Sequence, residues 1–143
     1  MSEEQKTAEE TVAYMMRRDA FSRWLNVALV SLKPDHCTLR MTVRPEMCNG
    51  FQVCHGGVSF SLADSALAFA SNSDGRLAMS VENSMVYPAK VVAGDILTAV
   101  AKPLSVGYKL ATYDVTITTQ EGTVVGIFRG TVYRTSRDVI PKD

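Results

Sequence analysis

The chain has 143 residues, 46% hydrophobic and 21% charged, with 15 basic and 15 acidic side chains. That length and composition fit one globular domain spanning 1–143 and exclude disorder of the whole chain. Zero net charge argues against a general nucleic-acid or membrane-surface binder, while leaving room for a local basic patch facing a small anion.

Residues 3–18 carry Ala8, Val12, Met15 and Met16 at helical spacing, and the apolar run 21–25 leads on toward a first strand. An N-terminal helical segment over 1–24 is therefore expected. Its acidic, polar start, MSEEQKTAEE, is the reverse of a secretory signal. A cytoplasmic location follows as an expectation, with Cys37, Cys48 and Cys54 as reduced thiols. Strands are expected at 26–32 and 37–43, split by the turn Lys33-Pro34-Asp35. Residues 45–54 read as a loop around Asn49-Gly50, a strong turn pair.

The stretch 56–73 holds a single charge, Asp64, and eleven of its eighteen residues are Gly, Ala or Ser. Val58, Leu62, Ala66 and Phe69 recur at helical spacing, so it reads as a helix packed on most of its circumference and closed by Asp74-Gly75. Segments 77–87, 95–104, 109–119 and 123–133 then read as strands rich in Val, Ile, Thr and Tyr. Their last two connections are short, which predicts an antiparallel meander. Residues 135–143 are expected as a polar tail. The fold class is α+β, an antiparallel sheet wrapped around one long central helix. Such a sheet leaves an edge strand and a half-covered face, which oligomerisation would cover. No run approaches the roughly 18 apolar residues of a membrane-spanning helix.

His55-Gly56-Gly57 places unshielded N–H groups at a helix start, where an oxyanion could form. The alternative is that the glycines merely permit a tight passage from loop to helix. Asp64 must either find a partner or face a cavity, because an unpaired buried carboxylate costs several kcal/mol. Its bland reading is a bond to Ser61 or Ser65; its functional reading is a catalytic carboxylate. His55 is a general base or, preferably, a side chain that fixes the loop. Cys54 beside it is a poor nucleophile candidate, since adjacent residues rarely point at each other. His36, His55 and the three cysteines show no zinc spacing, so no metal is expected. Gly-rich phosphate loops and a Gly-x-Ser-x-Gly elbow are absent from the sequence.

The segment NGFQVCHGGVSFSLADSALAFASNS, with its Asn-Gly-x(4)-His-Gly-Gly-x(6)-Asp spacing, resembles hotdog-fold acyl-CoA thioesterases of the phenylacetic-acid-pathway group. The likeness runs from about Leu25 to Tyr133 and includes Ala93-Gly94-Asp95 and Phe128-Arg129-Gly130. It implies hydrolysis of phenylacetyl-CoA or a related aryl or medium-chain acyl-CoA, with no cofactor beyond the coenzyme A of the substrate. It also implies a homodimer at minimum, with a homotetramer expected, and sites at dimer interfaces. By the same resemblance Asp64 is nucleophile or general base, the Gly56 amide polarises the thioester carbonyl, and Asn49 and His55 shape the loop. Gly57 and Ser80 fall on the substrate side, Ser80 matching a serine that orients water or carboxylate. In the segment YPAKVVAGD the group commonly has an arginine and then proline before Ala-Gly-Asp, and Lys90 is expected to replace that positive charge near the CoA phosphates. Two rivals stay open: a hotdog dehydratase or hydratase of 3-hydroxyacyl thioesters, and a non-catalytic acyl-CoA-binding module.

Overall fold

The computed structural model describes residues 1–142. Helix α1 (Glu3–Arg18) is opened by the Ser2 hydroxyl, which accepts the Gln5 N–H. Helix α2 (Ala20–Leu25) is opened in the same way by Asp19, which accepts from Ser22 N–H, and is ended by Asn26 at a left-handed φ of 61°. Strands β1 (Ala28–Lys33) and β2 (His36–Thr42), a one-turn helix at Pro45–Met47 and the long helix α3 (Gly56–Ser71) follow. Four strands complete the chain: β3 (Arg76–Val86), β4 (Ile96–Val106), β5 (Leu110–Thr118) and β6 (Val124–Asp138).

All six strands form one antiparallel sheet in the order β1-β2-β4-β5-β6-β3. The hairpins β4–β5 and β5–β6 match the expected meander, but β3 does not join it. Nine residues separate β3 from β4, too many for a tight hairpin, and β3 instead closes the far edge against β6. That move brings β3 alongside α3. The concave face carries the alternating inward residues of the strands, among them Leu39, Met41, Leu97, Ala99, Tyr113, Val115, Ile117 and Phe128, all buried. Against them lie Leu62, Ala66, Leu67, Phe69 and Ala70 of α3, which is buried at nine of sixteen positions. The small side chains of this helix are what let the sheet wrap so closely.

Helix α3 stops two residues before its expected end, because Asn72 takes over its last carbonyls. The Asn72 amide donates to Ala68 O and Ala78 O, and its oxygen accepts the Ala78 N–H. Gly75, at φ 89°, then turns the chain into β3.

The polar tail expected over 135–143 is corrected: β6 continues through Asp138, which pairs with Arg76. The Arg76 guanidinium donates to the carbonyls of Thr135, Arg134 and Tyr108 and so holds a strand end that has no apolar pattern of its own. No helix among the described residues is long and apolar enough to cross a membrane.

Candidate active site

The loop before α3 is a small hairpin built on Asn49. Its side-chain oxygen accepts from Phe51 N–H at 2.9 Å and Val53 N–H at 3.4 Å, and its own N–H donates to Val53 O. The turn forms where Asn49-Gly50 predicts it, yet the left-handed residue is Gln52, at φ 61°. The strands of this hairpin deliver His55 to the start of α3, with its N–H bonded to Met47 O.

At that start the two glycine amides differ. His55 Nδ1 accepts the Gly57 N–H at 2.9 Å, which makes the imidazole the helix cap and fixes its proton on Nε2. The expectation of two free amides is thereby corrected: Gly57 N–H is occupied. Gly56 N–H, the first of the helix, has no acceptor among the described residues. The peptide between them is held from the other side as well, since Tyr87 Oη donates to Gly56 O at 2.9 Å. A Cβ at position 56 would meet the Tyr87 ring at 3.3 Å, so glycine leaves the space this bond needs.

Asp64 lies two turns further along α3, half-buried and facing β3 rather than its own helix. Ser61 and Ser65 are both engaged elsewhere, on Gly57 O and Ser22 Oγ respectively, so neither of these two hydroxyls is the partner of Asp64. One carboxylate oxygen accepts from Asn83 Nδ2 at 3.2 Å and from Ser80 Oγ at 3.5 Å. Residues three apart on a regular strand face opposite sides. Here a bulge at Val81, between the pairs Ser80–Val132 and Glu82–Thr131, turns Ser80 and Asn83 to the same side. Gly130, opposite Asn83 on β6, makes room: a Cβ there would meet Leu67 Cδ2 at 2.7 Å and overlap the Asn83 amide. Asn83 Oδ1 is buried without a donor, so the amide is spent on the carboxylate alone.

Burial pushes the Asp64 carboxyl above its ordinary range. The bonds from Ser80 and Asn83 pull it part of the way back, and the negative charge of Asp19 adds a smaller upward push. A carboxylate held by neutral donors, with no cation bonded to it among the described residues, keeps its basicity.

Two clusters result. Gly56, Tyr87 and Lys90 line one open pocket of about 400 Å³, together with Cys54, Ser59 and Val91. Asp64, Ser80 and Asn83 form the other, outside that pocket. Asn49 and His55 order the loop, and neither bonds to Asp64.

Residues 51–126 match the family model described as the thioesterase superfamily. The chain belongs to the thioesterase superfamily. It is a thioester hydrolase, and its sheet around α3 is the hotdog fold. It is 38% identical over 120 residues to the acyl-coenzyme A thioesterase PaaI of Escherichia coli, covering 84% of this chain and 86% of that protein. The structure of the Escherichia coli PaaI protein, from the phenylacetic acid degradation operon, superimposes with a TM-score of 0.92 at 34% identity, over 94% of this chain and 97% of that one. A Streptococcus mutans structure bound to acetyl CoA aligns with a TM-score of 0.75 at 27% identity, over 77% and 89% of the two chains.

Sequence reasoning missed two side chains of this thioesterase. Asn83 gave no signal, because only the bulge at Val81 turns it toward Asp64. Tyr87 had one: an aromatic residue beside Pro88, at the position where the resembling group carries arginine, deserved a role of its own.

Proposed function

We propose that this thioesterase hydrolyses acyl-CoA thioesters, with phenylacetyl-CoA or a related aryl or medium-chain acyl-CoA as substrate. The observation that carries the proposal is the pairing on one helix of an unpartnered first amide, Gly56 N–H, with a half-buried carboxylate, Asp64, held by neutral donors. Thioester plus water gives free acid plus CoA thiol. Gly56 N–H stabilises the carbonyl oxygen as it gains charge, and Asp64 serves as nucleophile or as the base that takes a proton from water. Ser80, with its long bond to Asp64, is placed to turn toward that water. Lys90, exposed beside Gly56, supplies positive charge for the CoA phosphates. No metal or redox group enters the reaction as proposed. The names of the Escherichia coli relatives and the acetyl CoA of the Streptococcus mutans structure support the acyl-CoA reading.

The proposal includes a homodimer at minimum, and a homotetramer as the full assembly. Gly56 and Asp64 are eight residues apart, roughly 12 Å along α3, whereas both must reach within about 3 Å of one reacting centre. Antiparallel α3 helices of two chains would bring Gly56 of each chain to the Asp64 of the other. The exposed apolar ladder Met79–Tyr133–Leu110 across β3, β6 and β5 supports a further contact on the outer face. A dehydratase pairing of histidine with carboxylate has no support within one chain, where His55 Nδ1 is taken by Gly57.

The test is release of free CoA thiol from a panel of aryl, short-chain, medium-chain and long-chain acyl-CoAs. The proposal expects turnover, with kcat/KM highest for phenylacetyl-CoA or another aryl or medium-chain acyl-CoA. Turnover confined to long chains overturns the aryl assignment, and no thiol release from any acyl-CoA overturns the acyl-CoA reading.

A further inference from the structure

We propose that Cys48 and Cys54 form an intramolecular disulfide that locks the loop leading into the Gly56 amide. The two residues face each other as an isolated antiparallel bridge. Two backbone bonds bracket them, Asn49 N–H to Val53 O and His55 N–H to Met47 O, both at 2.8 Å. Bonds at the flanking positions make the cysteines a non-hydrogen-bonded pair. Their Cα atoms then stand about 4.5 Å apart with both side chains on one face. A disulfide accepts Cα separations of about 4.4–6.8 Å, so side-chain rotation closes the bond without moving the backbone.

Nothing strong holds the thiols apart. Cys48 Sγ rests 3.9 Å from Arg44 O, and Cys54 Sγ lies 3.6 Å from His55 O and 3.9 Å from Ser59 Oγ. The third cysteine stays out because it lies away from the bridge: Cys37 sits in the core on β2, 1% exposed, and burial pushes its thiol up to about 12. Burial raises the Cys54 thiol as well, so the exchange starts at Cys48. Cys48 is only half-buried and Cys54 lies deeper, so an oxidant from solvent meets Cys48 first.

The oxidant is a small-molecule disulfide such as oxidised glutathione. The Cys48 thiolate attacks one of its sulfurs, breaks the S–S bond and releases one glutathione thiolate. The Cys54 thiolate then attacks Cys48 Sγ and releases the second. Two electrons pass from the cysteines to the small molecule, and their two protons end on the two glutathione thiols. The ring of residues 48–54 encloses Asn49 and its turn, immediately before His55 and Gly56. Closure also draws Cys54 Sγ away from Ser59, which lines the Gly56 pocket with it. The pair is a reversible staple on the loop: open in a reducing thiol pool, closed as that pool is oxidised. The inference does not depend on which thioester the enzyme takes.

The full chain is incubated with oxidised glutathione, then assayed by thiol titration in denaturant, intact mass, peptide mapping and thermal melting. Free thiols should fall from three to one, with a mass loss of two hydrogens and a Cys48–Cys54 link that dithiothreitol reverses. The melting temperature should rise by about 5–10 °C, as closure of a seven-residue loop constrains the unfolded chain. Cys37→Ser should keep the whole response, while Cys48→Ser and Cys54→Ser should each abolish it. Three persisting thiols, a glutathione adduct that never resolves, or a bond to Cys37 or between chains overturns the proposal. A Cys48–Cys54 bond that leaves the melting temperature unchanged overturns the locking.

Discussion

Tyr87 Oη donates to the Gly56 carbonyl at 2.9 Å, across 31 residues of sequence. The same peptide ends in the Gly57 N–H that His55 Nδ1 accepts at 2.9 Å. One peptide plane is therefore fixed from both sides, by a side chain beyond β3 and by one from the preceding loop. The turn it fixes is the one that aims Gly56 N–H. Tyr87→Phe keeps the ring contact with Gly56 and removes the bond. A hydrogen bond of this kind is worth about 1 kcal/mol, so kcat should fall about fivefold with KM changing less. Steady-state kinetics on the folded variant check this, and an unchanged kcat contradicts it.

Asn83 acts on Asp64 through charge. Its N–H favours the ionised carboxylate and lowers the carboxyl's proton affinity, against a raising effect of burial. Asn83→Ala removes the donor, so Asp64 holds its proton to a higher pH and the acid limb of kcat/KM should move upward. Ser80→Ala should move it the same way and no less, because the Ser80 hydroxyl, though its bond is the longer at 3.5 Å, lowers the carboxyl at least as much as the Asn83 amide does. A limb that stays in place or moves to lower pH, in folded protein, contradicts the assignment of Asp64 as the titrating group.

Arg76 binds three carbonyls of two neighbouring segments and stacks over the Tyr108 ring at 4.8 Å. Arg76→Ala should cost about 2 kcal/mol of unfolding free energy. Residues 135–138 should lose amide protection before the rest of β6. Hydrogen exchange resolves the two regions, and equal protection of 135–138 in both proteins contradicts the role.

If sites are shared between chains, two dead variants should complement. Asp64→Ala removes the carboxylate. Gly56→Pro removes the free amide at a first helical position whose backbone suits proline, after a His55 with ψ of 132°. Its Cβ presses the Tyr87 ring aside by a few tenths of an ångström, so the fold of this variant is checked by melting before mixing. Each heterodimer then holds one site with both groups and one with neither. Random mixing makes half the dimers hetero, so roughly a quarter of wild-type activity should return. Normal dimers that regain nothing contradict the shared site.

The sequence told most about what is local. The small-sided α3 with its single charge, the turn at Asn49 and the hairpins around β5 are each written in composition or spacing, and each is there. What stayed hidden depends on register and on distant partners. Alternation along β3 would put Ser80 and Asn83 on opposite faces; one extra residue at Val81 reverses that, and no pattern in the strand announces it. The end of β6 looks like a tail because its order comes from Arg76, about 60 positions earlier, rather than from apolar residues of its own. Gly57 looks as free as Gly56 until the His55 ring is seen to cap it.

If the Asp64 carboxylate drives thioester hydrolysis as proposed, Asp64→Asn should remove most of the activity from a folded protein. The variant keeps the side chain's shape and one oxygen for Ser80 and Asn83, and replaces the charge and the second acceptor oxygen with a neutral amide nitrogen. Since burial raises the folded carboxyl above its unfolded value, Asp64 favours folding at low pH, and that contribution is lost as pH rises through the folded value. At neutral pH the charge is therefore a cost, and the variant should melt no lower than wild type. With that fold control in hand, the decisive measurement is kcat for release of CoA thiol at neutral pH. It should fall by about 10²–10⁴-fold. A folded variant within tenfold of wild-type turnover would contradict the proposed role of Asp64.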